Sequence, residues 1–293
     1  MQILSFLSLY PALAYAAHSP RQPSYDHRPN PLVPTIWLAG DSTEAPGGGP
    51  NGTEGWGQYL QYSFLSSVAL VNNSAIAGRS ARTFTRDGRF DTIASNVKEG
   101  DWVVIEFGHN DGGIPPVNAT VGDKGRADCP GAGLISQGWG VFNATEIVQT
   151  YGTYLKNATR KFLDKKAKVV LSSMTPTNPW EFGNYSYAPN IFTYYTWLAA
   201  SELGGPAQGV YFVSHGQYAA QAMKNLGKET VDANYPIDHT HTAPFLADVV
   251  ARSFVLGLKC GTSGLQDLVL NATSRLQGDV LGDCLAVNAT LPI

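Results

Sequence analysis

The 293 residues are 43% hydrophobic and 15% charged, which is ordinary for a globular protein with a substantial buried core. The net charge of −3 gives no general attraction to nucleic acid or to an acidic membrane surface, and no apolar run is long enough to span a bilayer. We therefore expect neither a nucleic acid nor a membrane as a partner; we also expect the protein to be a monomer.

The first residues have the pattern of a secretory signal. Residues 3–13 are mostly apolar, and Ala-Tyr-Ala at 14–16 fits the cleavage site of a signal peptide of residues 1–16, although no basic residue precedes the apolar run. Residues 17–34, rich in Pro, His and Arg, are predicted to form a flexible lead-in. No repeat or break in composition divides the remainder, so residues 35–293 are predicted to be a single domain of a secreted, extracellular protein.

Eight Asn-x-Ser/Thr sequons accompany this leader and favour secretion, although a chain rich in Asn, Ser and Thr also forms some by chance. Asn72 lies in an apolar strand pattern, so we expect it to be too buried to carry a glycan. The remaining glycosylation candidates are Asn51, Asn118, Asn143, Asn157, Asn184, Asn271 and Asn288.

Short runs of apolar, β-branched or aromatic residues predict five buried parallel strands, at residues 35–39, 68–71, 102–107, 169–172 and 210–213. Apolar residues at helical spacing separate them, most clearly at residues 56–64, at 147–162 and from 244 onward. Asn143 and Glu146 form a capping pair for the second of these helices, and Thr242 is a cap for the third. This alternation predicts a three-layer α/β/α sandwich around a central five-stranded parallel sheet, flavodoxin-like in outline.

Polar motifs stand next to these elements. They are Gly-Asp-Ser-Thr at 40–43, Ala-Gly-Arg-Ser at 77–80, Gly-His-Asn-Asp at 108–111 and Asp-His-Thr-His at 238–241. In parallel sheets, ligands bind beyond the carboxyl ends of the strands. We therefore expect the motifs to meet on one rim of the sheet, where they would supply a nucleophile, oxyanion donors and a base for acyl transfer.

Ser42 is the candidate nucleophile, and His241, oriented by Asp238, is the candidate base. A serine hydroxyl is nearly unreactive at neutral pH and needs a base within hydrogen-bonding distance. The spacing of Asp238 and His241 lets the carboxylate contact one ring nitrogen while the other faces Ser42. Taken alone, Ser42 would more simply stabilise a turn, and its downstream partners are what favour catalysis. The lack of a Gly-x-Ser-x-Gly elbow in this motif disfavours the common α/β-hydrolase fold.

The oxyanion hole is predicted to consist of the backbone N–H groups of Ser42 and Gly78 and the side-chain amide of Asn110. A glycine lets a backbone donor approach the oxyanion closely, and an Asn amide donates without titrating. The simpler alternatives are a turn glycine and an Asx-turn.

Two further histidines, His109 and His239, are expected to have structural roles. Together with Asp111, Asp238 and His241 they could coordinate a cation on paper, but only the pair at 239 and 241 has close ligand spacing. We predict no metal ion and no other cofactor.

The order Ser, Gly, Asn, then Asp and His with two residues between them resembles the SGNH (GDSL-type) hydrolases. The segments at 38–43, 106–113 and 235–242 are similar to those of the fungal rhamnogalacturonan acetylesterases, and the similarity extends from about Thr35 to about Cys284. This resemblance implies a serine carbohydrate esterase that removes O-acetyl groups from rhamnogalacturonan in pectin through an acetyl-enzyme intermediate. Three alternatives are an acetylesterase for xylan or another acetylated polysaccharide, a lipase-like esterase, and a non-catalytic carbohydrate-binding protein.

Candidate substrate contacts come from a basic stripe and from loop aromatics. The spacing of Arg79, Arg82, Arg86 and Arg89 would place them on one face of a helix. Arg79 and Arg82, nearest to Gly78, could bind a uronic-acid carboxylate, although pairing with surface carboxylates such as Asp87 or Asp91 is the simpler alternative. The loop aromatics could stack on sugar rings or merely fill gaps; they are Trp139, Trp180, Tyr185 and Tyr187, and Trp180 is retained as a candidate.

The chain has three cysteines. Cys260 and Cys284 bracket the C-terminal tail and are the predicted disulfide in an oxidising compartment. Relatives in the family that the chain resembles usually pair a cysteine at the position of Cys129 with a second one nearby, but none occurs between Pro130 and Asn143. This departure leaves Cys129 unpaired in a monomer.

Overall fold

The computed structural model describes residues 33–49, 51–113, 125–132, 147–270 and 280–286. Its strands are β1 (Thr35–Gly40), β2 (Leu70–Asn73), β3 (Trp102–Phe107), β4 (Lys168–Ser173) and β5 (Val210–Val213). They form one sheet in the order β2-β1-β3-β4-β5, and every neighbouring pair is parallel. The predicted five-stranded parallel sheet is therefore confirmed.

Helices cover both faces of this sheet. They are α1 (Ala81–Arg86), α2 (Arg89–Asn96), α3 (Tyr151–Leu163), α4 (Ile191–Glu202), α5 (His215–Leu226), α6 (Lys228–Ala233) and α7 (Pro244–Cys260). Apolar side chains of α1 to α4 form one core with the sheet, and those of α5 to α7 form a second core on the opposite face. The architecture is the predicted three-layer α/β/α sandwich. None of the helices in the described ranges combines the length and apolarity needed to cross a bilayer.

The central strand β3 shows why the apolar pattern located the sheet. All six of its residues are buried. Val103 and Ile105 pack into the core beneath α1 to α4, whereas Trp102 and Val104 pack into the other core. A strand covered on both faces must be apolar at consecutive positions, and this is the pattern that predicts it.

The edge strand β2 lies two residues later than the predicted run at 68–71. It pairs only with β1, and its side chains are at most partly buried. Val68 is exposed and precedes the strand, while Asn72 lies within it and is exposed. The expectation that burial protects Asn72 from glycosylation is therefore wrong, because an edge strand need not be apolar and hydrophobicity does not locate it.

Two predicted helix boundaries on the α7 face are also corrected. Residues 56–64 contain two short 3-10 helices, Trp56–Gln58 and Leu60–Ser63, rather than one α-helix. The residue that caps α7 is Ala243 and not Thr242, since the Thr242 hydroxyl donates instead to the backbone carbonyl of Glu54 at 3.2 Å.

The N-terminus of α3 differs from its prediction in the same way. The helix begins at Tyr151 with Thr150 as its capping residue, and Ile147 lies before it with an exposed side chain. Asn143 and Glu146 are too early in the chain to cap this helix, and they lie outside the described residues. The apolar spacing predicts an earlier start because Ile147 lies four residues before Tyr151 and so fits the helical period, although it is not part of the helix.

Cys260 and Cys284 form a disulfide, as predicted, with their Cα atoms 5.5 Å apart. Cys129 is a buried thiol outside this disulfide. Its Sγ donates to the carbonyl of Val148 at 3.1 Å, and its backbone N–H donates to the carbonyl of Gln149 at 2.9 Å. Hydrogen bonds therefore attach this segment to the start of α3 without a second cysteine.

Three of the glycosylation candidates lie in the described part of the chain, and all three are exposed: Asn51, Asn157 and Asn184. The other four lie outside the described residues: Asn118, Asn143, Asn271 and Asn288.

Candidate active site

The polar motifs lie where the parallel strands end. Ser42 follows β1, Gly78 lies in the loop after β2, and Asn110 follows β3. Asp238 and His241 lie in the loop that leads into α7. Because the strands are parallel, their carboxyl ends share one edge, and this topology brings distant segments of the chain together.

Three of these side chains form a continuous hydrogen-bonded chain. His241 Nε2 lies 2.8 Å from Ser42 Oγ, and His241 Nδ1 lies 2.7 Å from Asp238 Oδ2. A carboxylate only accepts, so Nδ1 carries a hydrogen and Nε2 is left to accept the Ser42 hydroxyl. This is the tautomer that can remove a proton from Ser42.

A tight loop holds the Asp238 carboxylate in place. Its Oδ1 accepts from the backbone N–H groups of Thr240 and His241, each at 2.8 Å, while its Oδ2 contacts the His241 ring. Partial burial alone would raise the pKa of Asp238, but the hydrogen bonds from the ring and the two amides outweigh it and lower the pKa. The group is therefore an ionised acceptor at neutral pH.

Gly49 supports His241 from the other side and was not singled out from the sequence. A Cβ at Gly49 would lie 2.4 Å from the imidazole Cδ2 of His241, so only glycine lets this loop pass the ring. The Gly49 N–H donates to Thr53 Oγ1 at 2.9 Å, which fixes the loop. The corresponding signal in the sequence is the Gly-Gly-Gly run at 47–49. The sequence does not show that this run passes His241, because that contact depends on the fold.

The two predicted oxyanion donors after β2 and β3 are linked through Arg79. Gly78 has a φ of +72°, and a Cβ there would meet nothing within 4 Å, so its backbone conformation rather than crowding requires glycine. The side-chain amide of Asn110 donates to the carbonyl of Arg79 at 3.1 Å. Its oxygen accepts from Arg126 Nη1 at 2.7 Å.

The other two histidines near the site have different partners. His109 Nε2 lies 3.1 Å from Thr175 Oγ1, and His239 Nδ1 lies 2.9 Å from Glu181 Oε1. These contacts accord with the structural roles expected for both residues.

Buried acids beneath the serine were not anticipated as a group. Glu106, at the end of β3, accepts from the Trp56 indole at 2.9 Å and contacts His215 Nδ1 at 2.7 Å. Asp41 accepts from the amide and the hydroxyl of Thr43, each at 2.9 Å. Burial is the main cause that raises the pKa of Asp41 and, more strongly, that of the neighbouring Glu44. The sequence did contain a signal for these buried acids, because Glu106 is a charged residue within the otherwise apolar run of β3.

Two further buried acids, Asp111 and Asp128, form a pair next to Asn110. Asp111 Oδ1 accepts from the backbone N–H of Ala81 at 2.7 Å, which is the first residue of α1. Burial raises the pKa of Asp111 to about 7. Burial and the neighbouring Asp111 raise the pKa of Asp128 well above its usual range, so the pair retains a proton where surface carboxyls have lost theirs.

The arginine stripe does not form one exposed face. Arg79 precedes α1 and pairs with Asp87 at 2.8 Å, whereas Arg89 belongs to a different helix, α2. Arg82 is completely buried and donates to the carbonyl of Ala127 at 2.7 Å. The prediction that Arg82 contacts the substrate is therefore wrong. Arg82 lies on the buried face of α1, so its side chain points into the protein.

The loop aromatics are tied to the protein by their polar ends. The Trp180 indole donates to the carbonyl of Met223 at 3.0 Å, and its ring lies 5.3 Å from that of Tyr185. The Tyr185 hydroxyl donates to the carbonyl of Ala220 at 3.0 Å. These contacts favour the gap-filling interpretation for both rings, while Trp139 lies outside the described residues.

The fold and the arrangement at the strand ends are those of an SGNH-type hydrolase. The model of the GDSL-like Lipase/Acylhydrolase family matches residues 38–239, which is more than half of the chain. The chain therefore belongs to this family and is a carboxylic ester hydrolase.

Individual relatives agree with this membership. The chain is 45% identical over 258 residues to the rhamnogalacturonan acetylesterase of Emericella nidulans, an alignment that covers 88% of this chain and 95% of the relative. It is 43% identical over 76 residues to the probable rhamnogalacturonan acetylesterase YesY of Bacillus subtilis, which covers 26% of this chain and 35% of that protein. The crystal structure of Bacillus subtilis YxiM shares the fold, with a TM-score of 0.59 and 22% identity over 78% of this chain and 56% of that one.

Proposed function

We propose that the protein is a secreted serine esterase that removes O-acetyl groups from rhamnogalacturonan, the acetylated pectic polysaccharide. The observation that carries this proposal is the continuous chain Ser42–His241–Asp238, with contacts of 2.8 and 2.7 Å. The relative from Emericella nidulans, similar over most of both chains, supports the choice of substrate.

In the proposed reaction, Ser42 Oγ attacks the acetyl carbonyl carbon while His241 Nε2 takes the hydroxyl proton. The tetrahedral intermediate collapses when the bond to the sugar oxygen breaks and His241 returns the proton to that oxygen. Water then attacks the acetyl-enzyme, again with His241 as base, and releases acetate and free Ser42. The Asp238 carboxylate stabilises the imidazolium that forms in each half-reaction.

The negative charge on the tetrahedral oxygen is the main electrostatic demand of this reaction. We assign its stabilisation to the N–H groups of Ser42 and Gly78 and to the Asn110 amide. Loss of one such donor typically costs about 100- to 1,000-fold in rate. No residue in this sequence of steps depends on a metal or a cofactor.

We propose fewer substrate-binding residues than the sequence suggested. Arg79 remains a candidate, since a third of its side chain is exposed and its carbonyl contacts Asn110. Trp180 is partly exposed and remains a candidate, although its contacts with Met223 and Tyr185 favour a gap-filling role. Arg82 is no longer included, because it is fully buried.

The proposal is tested by acetate release from acetylated rhamnogalacturonan and from acetylated xylan. Wild type should release acetate faster from the pectic polymer, and Ser42→Ala should lose roughly a thousandfold or more of this activity. Ser95→Ala is the matched control, because Ser95 is exposed on α2, a helix outside the site, and should leave the rate unchanged.

Each alternative has its own outcome in the same assay. Faster release from xylan would retain the mechanism and replace the substrate. Faster hydrolysis of long-chain than of acetyl esters would favour a lipase-like esterase. Saturable binding of the polymer without any acetate release would make the protein a carbohydrate-binding module on a hydrolase scaffold.

Secretion is part of the same proposal and rests on the apolar leader and the sequons. The exported protein should begin at Ala17 and should lose mass when N-glycans are removed enzymatically. An intact N-terminus in protein recovered from cells, with none in the medium, would contradict it.

A further inference from the structure

The side-chain amide of Asn110 lies between two partners of opposite hydrogen-bonding character. Its Oδ1 accepts from Arg126 Nη1 at 2.7 Å, and its Nδ2 donates to the carbonyl of Arg79 at 3.1 Å. An Asn side chain can rotate by half a turn and exchange its oxygen and nitrogen. A guanidinium group only donates and a carbonyl oxygen only accepts, so the two partners together permit one orientation.

This orientation has a direct consequence for an oxyanion. Nδ2 carries two hydrogens, and the contact with Arg79 uses one of them, so the other is aimed away from both partners. Because Arg79 follows Gly78 in the chain, the same contact links the two proposed oxyanion donors after β2 and β3. The positive charge on Arg126 also draws electron density toward Oδ1, which strengthens the N–H groups of the same amide as donors.

Arg126 is itself fixed by the arginines of α1. The carbonyl of Gly125, on one side of it, accepts from Arg86 Nη1 at 3.2 Å. The carbonyl of Ala127, on the other side, accepts from the fully buried Arg82 at 2.7 Å. Two arginines that the sequence suggested as part of a uronic-acid surface, Arg82 and Arg86, thus hold the backbone on both sides of Arg126.

We propose that Arg126 is a positioning residue for hydrolysis at Ser42. It holds the Asn110 amide in the single orientation that presents an N–H to the oxyanion, and it does so without touching the substrate. The proposal rests on the proposed function, because it assigns Arg126 a part in the same acyl transfer.

The test is a double-mutant cycle on 4-nitrophenyl acetate, a small ester that avoids polysaccharide contacts. Asn110→Ala should lower kcat about 100- to 1,000-fold. Arg126→Ala should lower kcat roughly 10- to 100-fold, the usual range for a hydrogen bond to a charged group, with KM within about twofold. The double variant should be no slower than Asn110→Ala, within about twofold, because Arg126 acts only through Asn110.

Control variants separate positioning from folding. Arg89→Ala removes an exposed arginine of α2 and should leave kcat unchanged. Arg126→Lys retains one charged donor and should recover part of the lost kcat. If Arg126→Ala does not fold, the cycle is run with Arg126→Gln, which also removes the charge, and the same non-additivity is expected.

Two results would overturn the proposal while leaving the esterase assignment intact: a folded Arg126→Ala with wild-type kcat, or a loss of equal size in the wild-type and Asn110→Ala backgrounds. In both cases Ser42→Ala would still be inactive. Activity that survives in Ser42→Ala is a different failure, since it would remove the proposed nucleophile and the Arg126 proposal with it.

Discussion

At Asp238 a single side chain determines the chemistry available to two others. Its Oδ1 is occupied by two backbone amides, and its Oδ2 is aimed at His241 Nδ1. The ring then has only one nitrogen free to face Ser42, at 2.8 Å. In the proposed reaction, a carboxylate that does not touch the serine thus sets which nitrogen of the ring can act on it.

Asp238→Asn should lower kcat for acetyl ester hydrolysis about 100- to 10,000-fold while leaving the fold intact. The Asn oxygen can still accept the backbone amides, but its NH₂ group would face Nδ1 and favour the wrong imidazole tautomer. The measurement is kcat on 4-nitrophenyl acetate with thermal unfolding alongside. Asp164→Asn, at the exposed C-terminal end of α3, is the control. Near-wild-type kcat in Asp238→Asn would show that the carboxylate does not orient the base.

At the scale of elements, the C-terminal tail is attached to two helices by different kinds of bond. The disulfide connects the end of α7 to Cys284. On α5, the Gln221 side-chain amide donates to the carbonyls of Leu281 and Asp283, and the Tyr218 hydroxyl accepts from the amide of Leu285. Polar contacts and one covalent bond thus hold a segment whose Leu281 and Leu285 also pack against the core formed by α5 to α7.

Replacing both cysteines, Cys260→Ser with Cys284→Ser, should lower the free energy of unfolding by about 3 kcal/mol. The bridged residues are 24 positions apart, and opening a loop of that length increases the entropy of the unfolded chain. Urea unfolding with and without a reducing agent measures the effect. Reductant should destabilise wild type and Cys129→Ser alike, and should have no effect on the double variant. Loss of the reductant effect in Cys129→Ser would instead point to a disulfide that involves Cys129.

At the scale of the whole molecule, acidic side chains are concentrated inside the protein at the carboxyl end of the sheet. Four of them have a raised pKa with burial as the largest cause: Asp41, Glu44, Asp111 and Asp128. Each carboxyl binds its proton more tightly in the folded than in the unfolded chain. Between the unfolded pKa near 4 and the higher folded pKa, unfolding therefore releases protons.

The free energy of unfolding should consequently fall as pH rises above about 4, and the contribution of Asp111 to this fall ends near its folded pKa of about 7. Urea unfolding at pH 5, 6, 7 and 8 measures the slope. Asp128→Asn, which removes one acid of the buried pair, should flatten it. Stability that increases between pH 5 and pH 8 in wild type would contradict this assignment of the buried protons.

Particular elements show how far sequence reasoning reaches. The bounds of the central strand β3 follow from its apolar residues, since a strand covered on both faces must be apolar. Those of the edge strand β5 follow as well, because its four residues are all apolar or aromatic. Those of the other edge strand, β2, do not, because its last two residues are Asn. The start of α3 was misplaced, because its cap, Thr150, makes no side-chain capping bond and so leaves a weak local signal.

The site divides in the same way. The proposed nucleophile, base and acid are marked by short motifs, since the proposed chemistry requires Ser, His and Asp at defined spacings. Nothing in the spacing of Arg82 distinguishes an exposed arginine from a buried one, and nothing local to Arg126 connects it with Asn110, 16 residues earlier. Such partners depend on which loops meet at the strand ends.

The sequence by itself determined the fold class, the order of the strands along the chain, the Cys260–Cys284 disulfide and the candidates for acyl transfer. These depend on local composition, periodicity and residue chemistry, which can be recognised within short segments of the sequence. The tertiary structure alone decided that Gly49 lies against His241, that Arg82 faces inward, and that Arg126 contacts Asn110. Those are contacts between segments far apart in the chain, and they exist only because the parallel sheet brings its loops to one edge.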